Sequence, residues 1–286
     1  MTGASDTWFG SDTRYRVFTF VKYLTYLLLS FNVYLFLQEE LLALEHTFTD
    51  GFEPGQLIQV FSATIDTAAW VILLLLFELE TSVLDDSRIK GGLKWALHGI
   101  RGLCYVAIYW AFTGYYAELV TLYEVTLLAD GDLCAQLDRG WSLLVDIDEY
   151  ETLSAANCAA TGDVYQLTGF DIVVPADTLQ SAQYLGWTDV INSAAWILVV
   201  IVLEIEVRLQ LRGNLSDRIM AANKYLKFAL YGILFAAAAY WGYAGDFLDF
   251  WDACLWLFAF IFIELNVFEW QYETRQQAWN QDSPVV

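Results

Sequence analysis

Apolar runs long enough to cross a bilayer, joined by connections that carry most of the cations, constrain this chain more than any other feature. The runs are Val17–Leu37, Leu57–Leu79, Leu93–Ala117, Ile191–Leu203, Leu226–Ala244 and Phe247–Val267. A membrane helix needs about 20 mainly apolar residues, and the fourth run reaches that length when counted from Leu185 through Leu211, across the interruptions Glu204 and Glu206. Val17–Leu37 is too long for a signal-peptide core and has no small-residue cleavage site after it, so it reads as a retained first span. The composition agrees, with 57% hydrophobic and 17% aromatic residues, well above a soluble domain's usual content. The expectation is an all-α, polytopic integral membrane protein with six transmembrane helices and the lipid bilayer as its first partner.

Lys and Arg set orientation, because cytoplasmic loops hold them in excess. Arg14, Arg16 and Lys22 precede or open helix 1, and Arg88, Lys90 and Lys94 join helices 2 and 3. Arg208, Arg212, Arg218, Lys224 and Lys227 join helices 4 and 5, and Arg275 follows helix 6. Arg101 lies inside helix 3 near its start, and Arg139 alone falls in the other set of loops. Both termini are therefore expected in the cytoplasm, with the protein integral to a cell membrane. The organisation reads as a cytoplasmic N-terminus (1–16), one hairpin plus the first helix of the next (17–123), an extracytoplasmic acidic segment (124–185), three further helices (186–272) and a cytoplasmic tail (273–286).

The opposite side is acidic. It holds Glu39, Glu40, Glu45, Asp50 and Glu53, the segment from Glu124 to Trp187, and Asp246, Asp249 and Asp252. A formal charge of -21, from 35 acids against 14 bases, makes nucleic acid an improbable partner. The plain function of such a face is solubility in saline surroundings; the sharper one is attraction of cations. Cys134 and Cys158 lie in the outer segment and form a disulfide candidate worth about 3 kcal/mol through loop closure. Glycines and short apolar runs such as Trp141–Val145 and Phe170–Val174 point to a small cap with little regular structure.

Internal repetition appears when the even-numbered helices are aligned. Asp66-Thr-Ala-Ala-Trp70, Asn192-Ser-Ala-Ala-Trp196 and Asp252-Ala-Cys-Leu-Trp256 correspond, and eight positions after each Trp stand Glu78, Glu204 and Glu264. Glu80, Glu206 and Asn266 follow two positions later, and the odd helices begin alike with Lys22, Lys94 and Lys224. Three parallel-repeat helical hairpins are expected. An offset of eight residues puts each Glu about 12 Å nearer the cytoplasm than its Trp, so the carboxylates form an inner layer that Lys22, Lys94, Lys224, Lys227 and Arg101 can reach. Because residues two apart point about 200° apart, Glu78 and Glu80 are expected to face different neighbours.

Two histidines, His46 and His98, are too few for haem chains or copper centres. His98 stands near Arg101 and joins the inner layer as a proton-path candidate, although a packing histidine is the commoner case. Tyr109, Trp110, Tyr115 and Tyr116, with Tyr240, Trp241 and Tyr243, read as an interfacial belt. No nucleotide loop, zinc-protease motif, nucleophile elbow or clustered metal motif is visible, and neither a metal nor a cofactor is implied. The expected function is a cation or proton channel or transporter using the inner carboxylates, rather than an enzyme. The competing expectation is a non-catalytic scaffold or accessory subunit, as a homo-oligomer or beside a membrane-protein partner.

Overall fold

A computed structural model describes residues 12–47, 51, 56–84, 90–128, 133–159, 162–211 and 217–262. Glu264, Asn266 and the tail beyond them lie outside the described residues, as do Arg14's side chain, Arg88 and Arg212. The chain is mostly helical. Helix α1 covers Asp12–Thr47, α2 is one turn at Leu57–Val60, α3 runs Ser62–Glu78 and ends in a π turn at Leu79–Val83. Helix α4 covers Gly92–Thr121, α5 Ala176–Leu211, α6 Asp217–Ala244, and a last helix, α7, occupies 247–262.

Three segments are long and apolar enough to cross a membrane, Arg16–Thr47, Ser62–Thr81 and Ala176–Glu206. Their outward faces fit that solvent, since large side chains such as Phe20, Leu27, Ile72, Leu75, Leu198 and Ile201 stand exposed on them, as Leu103, Phe228 and Phe235 do on α4 and α6. So much exposed apolar surface is consistent with membrane association in a chain that buries its own core elsewhere. That core holds Leu29, Leu74, Val199, Leu234 and Ala259, contributed by α1, α3, α5, α6 and α7. Small residues let the helices close up where lipid removes the hydrophobic drive. Gly114 is the tightest case: a Cβ there would stand 2.6 Å from the Ile58 carbonyl oxygen and 2.9 Å from Ser62 Cβ.

The outer segment departs from the all-α expectation. It forms a five-stranded sheet in the order β1-β4-β5-β2-β3, built from Val125–Leu127, Ser142–Asp146, Glu149–Thr152, Val164–Leu167 and Ile172–Pro175. All pairings are antiparallel except β2 with β5, where Ser142 faces Ile172 and Leu143 faces Val173. Alternation explains its two cores: Ile172 and Val174 join Leu179, Leu185 and Trp241 on the helix side, while Val173 turns to Leu133, Trp141 and Cys158. A disulfide links Cys134 to Cys158 across 24 positions in that second core. The cap also rests on α1, where His46 meets the Ser142 hydroxyl at 2.9 Å and stacks on Tyr150. Strand β5 passes into α5 with no residue between them.

Candidate functional site

The three aligned tryptophans meet. Trp70 of α3, Trp196 of α5 and Trp256 of α7 have ring centroids 6.2, 6.3 and 6.4 Å apart, inclined to one another by 54–67°. A near-equilateral triangle of indoles forms because each helix presents the same register to one centre. Phe260 packs on Trp196 at 4.6 Å, and beneath lie the buried Leu74, Val199 and Ala259.

On the cap side of the triangle is a chamber of about 50 Å³. One helical turn before each Trp stand Asp66, Asn192 and Asp252, which share its wall with Tyr115, Asp189 and Asp249. Asn32 of α1, completely buried, donates its amide N–H to Asp252 Oδ1 at 2.7 Å. Trp241 Nε1 donates to Asp189 Oδ1 at 3.1 Å. Three oxygens here are buried without a hydrogen-bond partner, Asp66 Oδ1, Asn192 Oδ1 and Asn32 Oδ1.

A second cavity, of about 90 Å³, shares Phe36, Tyr115, Asp189 and Asp249 with the chamber and leads toward the cap. Glu39, Glu40, Glu118 and Asp148 complete its acidic lining, and neither cavity is lined by Lys or Arg among the described residues. Glu40 reaches from α1 to accept hydrogen bonds from the Ala63 and Thr64 N–H groups and the Thr64 hydroxyl. It thereby satisfies donors left free by the start of α3, where a carboxylate also meets the positive end of the helix dipole. Ala63 is seven positions before Trp70, whereas Asp189 and Asp249 stand seven before Trp196 and Trp256. Glu40 thus brings a carboxylate from another helix to the level where α3 has none of its own.

Asp148, at the β2–β3 turn, brings the cap into the same cluster. Burial, and behind it the charge of Asp246, pushes its carboxyl up to about 7; Asp246 is also raised, chiefly by burial. An acid raised on folding keeps its proton better in the folded chain. Its contribution to stability is complete below the unfolded carboxylate range, near 4, and is lost as pH climbs through about 7. The melting temperature is therefore expected to fall by several degrees between about pH 5 and pH 8, each kcal/mol being about 2–4 °C in a domain of this size. Asp148→Asn should flatten the profile; a parent melting curve that rises over that range would contradict this account.

At the inner level Lys22 Nζ pairs with Glu78 Oε1 at 2.7 Å, Arg101 with Glu80 at 2.7 Å and Lys227 with Glu206 at 2.8 Å. The last two pairs share one spacing, 21 positions across the turn between helices. Glu78 faces α1 and Glu80 faces α4, so the two acids of one helix do part company. Lys94 and Lys224 are exposed, and His98 is exposed with Nδ1 against the Lys94 carbonyl. Lys94 sits seven residues before Arg101, about 10 Å nearer the start of α4. Glu204 lines a separate, mainly apolar groove of about 390 Å³ with Trp70, Tyr105, Tyr109 and Ile201.

Two of the belt residues turn inward instead: Tyr115 lines both cavities and Trp241 is buried on Asp189. Sequence reasoning also missed Asp189 and placed Asp249 only on the acidic face, although their shared place seven before Trp was a usable signal. Among the described residues no group of three or more His, Cys, Asp or Glu is set to hold a metal ion. No protein-family model matches the chain, and comparison with curated proteins and with solved structures finds no match.

Proposed function

We propose that the chain is a non-catalytic membrane protein that passes small cations or protons along the axis of three like-oriented hairpins. In this reading it spans a cell membrane six times, with both termini in the cytoplasm and the cap outside. One observation carries the reading: acid side chains line two adjoining cavities that descend from the cap to the tryptophan triangle, and among the described residues no Lys or Arg lines them. Buried acids facing a cavity between membrane helices mark ion and proton paths more often than packing. The outer cluster gathers cations, the chamber takes one up, and the indoles over an apolar layer form a dry stop. The described conformation is then open outward and closed inward. The inner carboxylates Glu78, Glu80, Glu204 and Glu206, with Glu264, serve release on the cytoplasmic side.

A second reading, a scaffold or accessory subunit, is favoured by the inner layer, where Glu78, Glu80 and Glu206 each hold a basic partner. Proteoliposomes decide between them. Transport predicts cation or proton flux that Glu204→Gln and Asp252→Asn each reduce by about tenfold, the effect of roughly 1.4 kcal/mol on a barrier. Silence across several ions and both signs of voltage, with Glu204→Gln lowering only the melting temperature, would leave the scaffold.

A further inference from the structure

The chamber above the tryptophan triangle differs from the rest of the acidic surface in what it lacks. Its wall includes two buried oxygens without a donor, Asp66 Oδ1 and Asn192 Oδ1, and behind Asp252 the wholly buried Asn32 presents a third. Buried acceptors are nearly always satisfied, so two on the wall of one small cavity, with the third behind it, call for a bound donor or cation. They come from three helices, α1, α3 and α5, and one of the three is an amide on the repeat position that elsewhere carries aspartate.

The lining narrows the ligand's chemistry. No three carboxylates converge as a divalent metal requires. Asp252 and Asp189 are each already engaged by a protein N–H, and Asp66 is bonded by Trp70 and Tyr115 with only its Oδ1 unpartnered, which lowers the field the site offers to a small, strongly hydrated ion. Three indoles line the chamber's inner side, Trp70 and Trp256 with their N–H groups on Asp66 and Asp252, and this largely aromatic wall suits a weakly hydrated cation better than a strongly hydrated one. About 50 Å³ is room for a few water-sized groups and for little more.

We propose that this chamber is a binding site for one small ammonium-type cation, ammonium itself or methylammonium, whose N–H groups satisfy the unpartnered oxygens while its charge rests against the tryptophan triangle. The site rests on the transport reading for its purpose but not for its existence.

Binding is measured on the full chain in detergent, by calorimetry and thermal shift, with methylammonium and ammonium chloride against sodium chloride and tetramethylammonium chloride at matched ionic strength. Ammonium and methylammonium should bind and raise the melting temperature beyond the sodium control, and tetramethylammonium should not. Asp66→Asn and Asn192→Leu should each weaken binding by about tenfold, the usual consequence of removing one partner of a buried charged hydrogen bond. Trp196→Phe, which keeps a ring in place, should weaken it less and serves if an Asp66 or Asn192 variant fails to fold. No stabilisation beyond sodium, equal binding by tetramethylammonium, or affinity unchanged in the variants that fold would overturn the site. Methylammonium flux in proteoliposomes is scored separately. Binding without flux keeps the site and removes the transport reading; flux of other cations without ammonium binding does the reverse.

Discussion

Glu78→Ala is expected to cost about 3–5 kcal/mol, enough to abolish the folded protein in most detergents, because it strands a buried ammonium. Lys22 and Glu78 are 6% and 5% exposed, and the carboxylate also accepts from the Tyr23 and Tyr26 hydroxyls at 3.0 and 3.5 Å. Truncation removes the acceptor for all three donors at once. Replacing both partners with apolar residues of similar volume, Lys22→Met with Glu78→Leu, should recover most of the loss, since such swaps are often neutral. Thermal melts of the single and double variants provide the check. A Glu78→Ala protein that melts with the parent would mean that Lys22 finds water, and that the pair does not hold α1 to α3.

Trp196→Ala is the second large effect, about 3–5 kcal/mol for an aromatic side chain removed from a packed centre. Trp196 touches both other members of the triangle and Phe260, and is only 8% exposed. The exposed Trp110 is the matched control and should cost well under about 1 kcal/mol on truncation. Transport adds a second readout: opening the dry stop should raise basal ion leak, while Trp196→Phe should stay tight. Denaturation and flux on the same preparations test both. Equal losses at Trp196 and Trp110 would show that the triangle is not the structural centre.

The helices were legible because lipid-facing and core-facing residues are both apolar, which leaves long runs that nothing else explains. Register was legible as well: Trp70, Trp196 and Trp256 are far apart in sequence and meet because one pattern recurs on three helices. The cation partners were only partly readable. Lys94 and Lys224 align at helix starts, but Arg101 and Lys227 make the pairs, because depth depends on the connection between helices and not on distance from a helix start. The sheet escaped notice because its strands are three to five residues long. Its central strand is buried on both faces, so Ile172-Val173-Val174 reads as a plain apolar run without alternation. Asp148 joined the acid cluster only through that sheet, which no local pattern could reveal.

The junction of β5 with α5 bears on how the molecule can move. At 36 residues α5 is about 54 Å long against a hydrocarbon layer of about 30 Å, and it leaves the sheet without a linker. Sheet and helix therefore behave as a key and its shank. A rotation of α5 that swung Trp196 off centre would twist the whole cap, and an antibody fragment gripping the cap would act as a brake on the bundle tens of ångströms below.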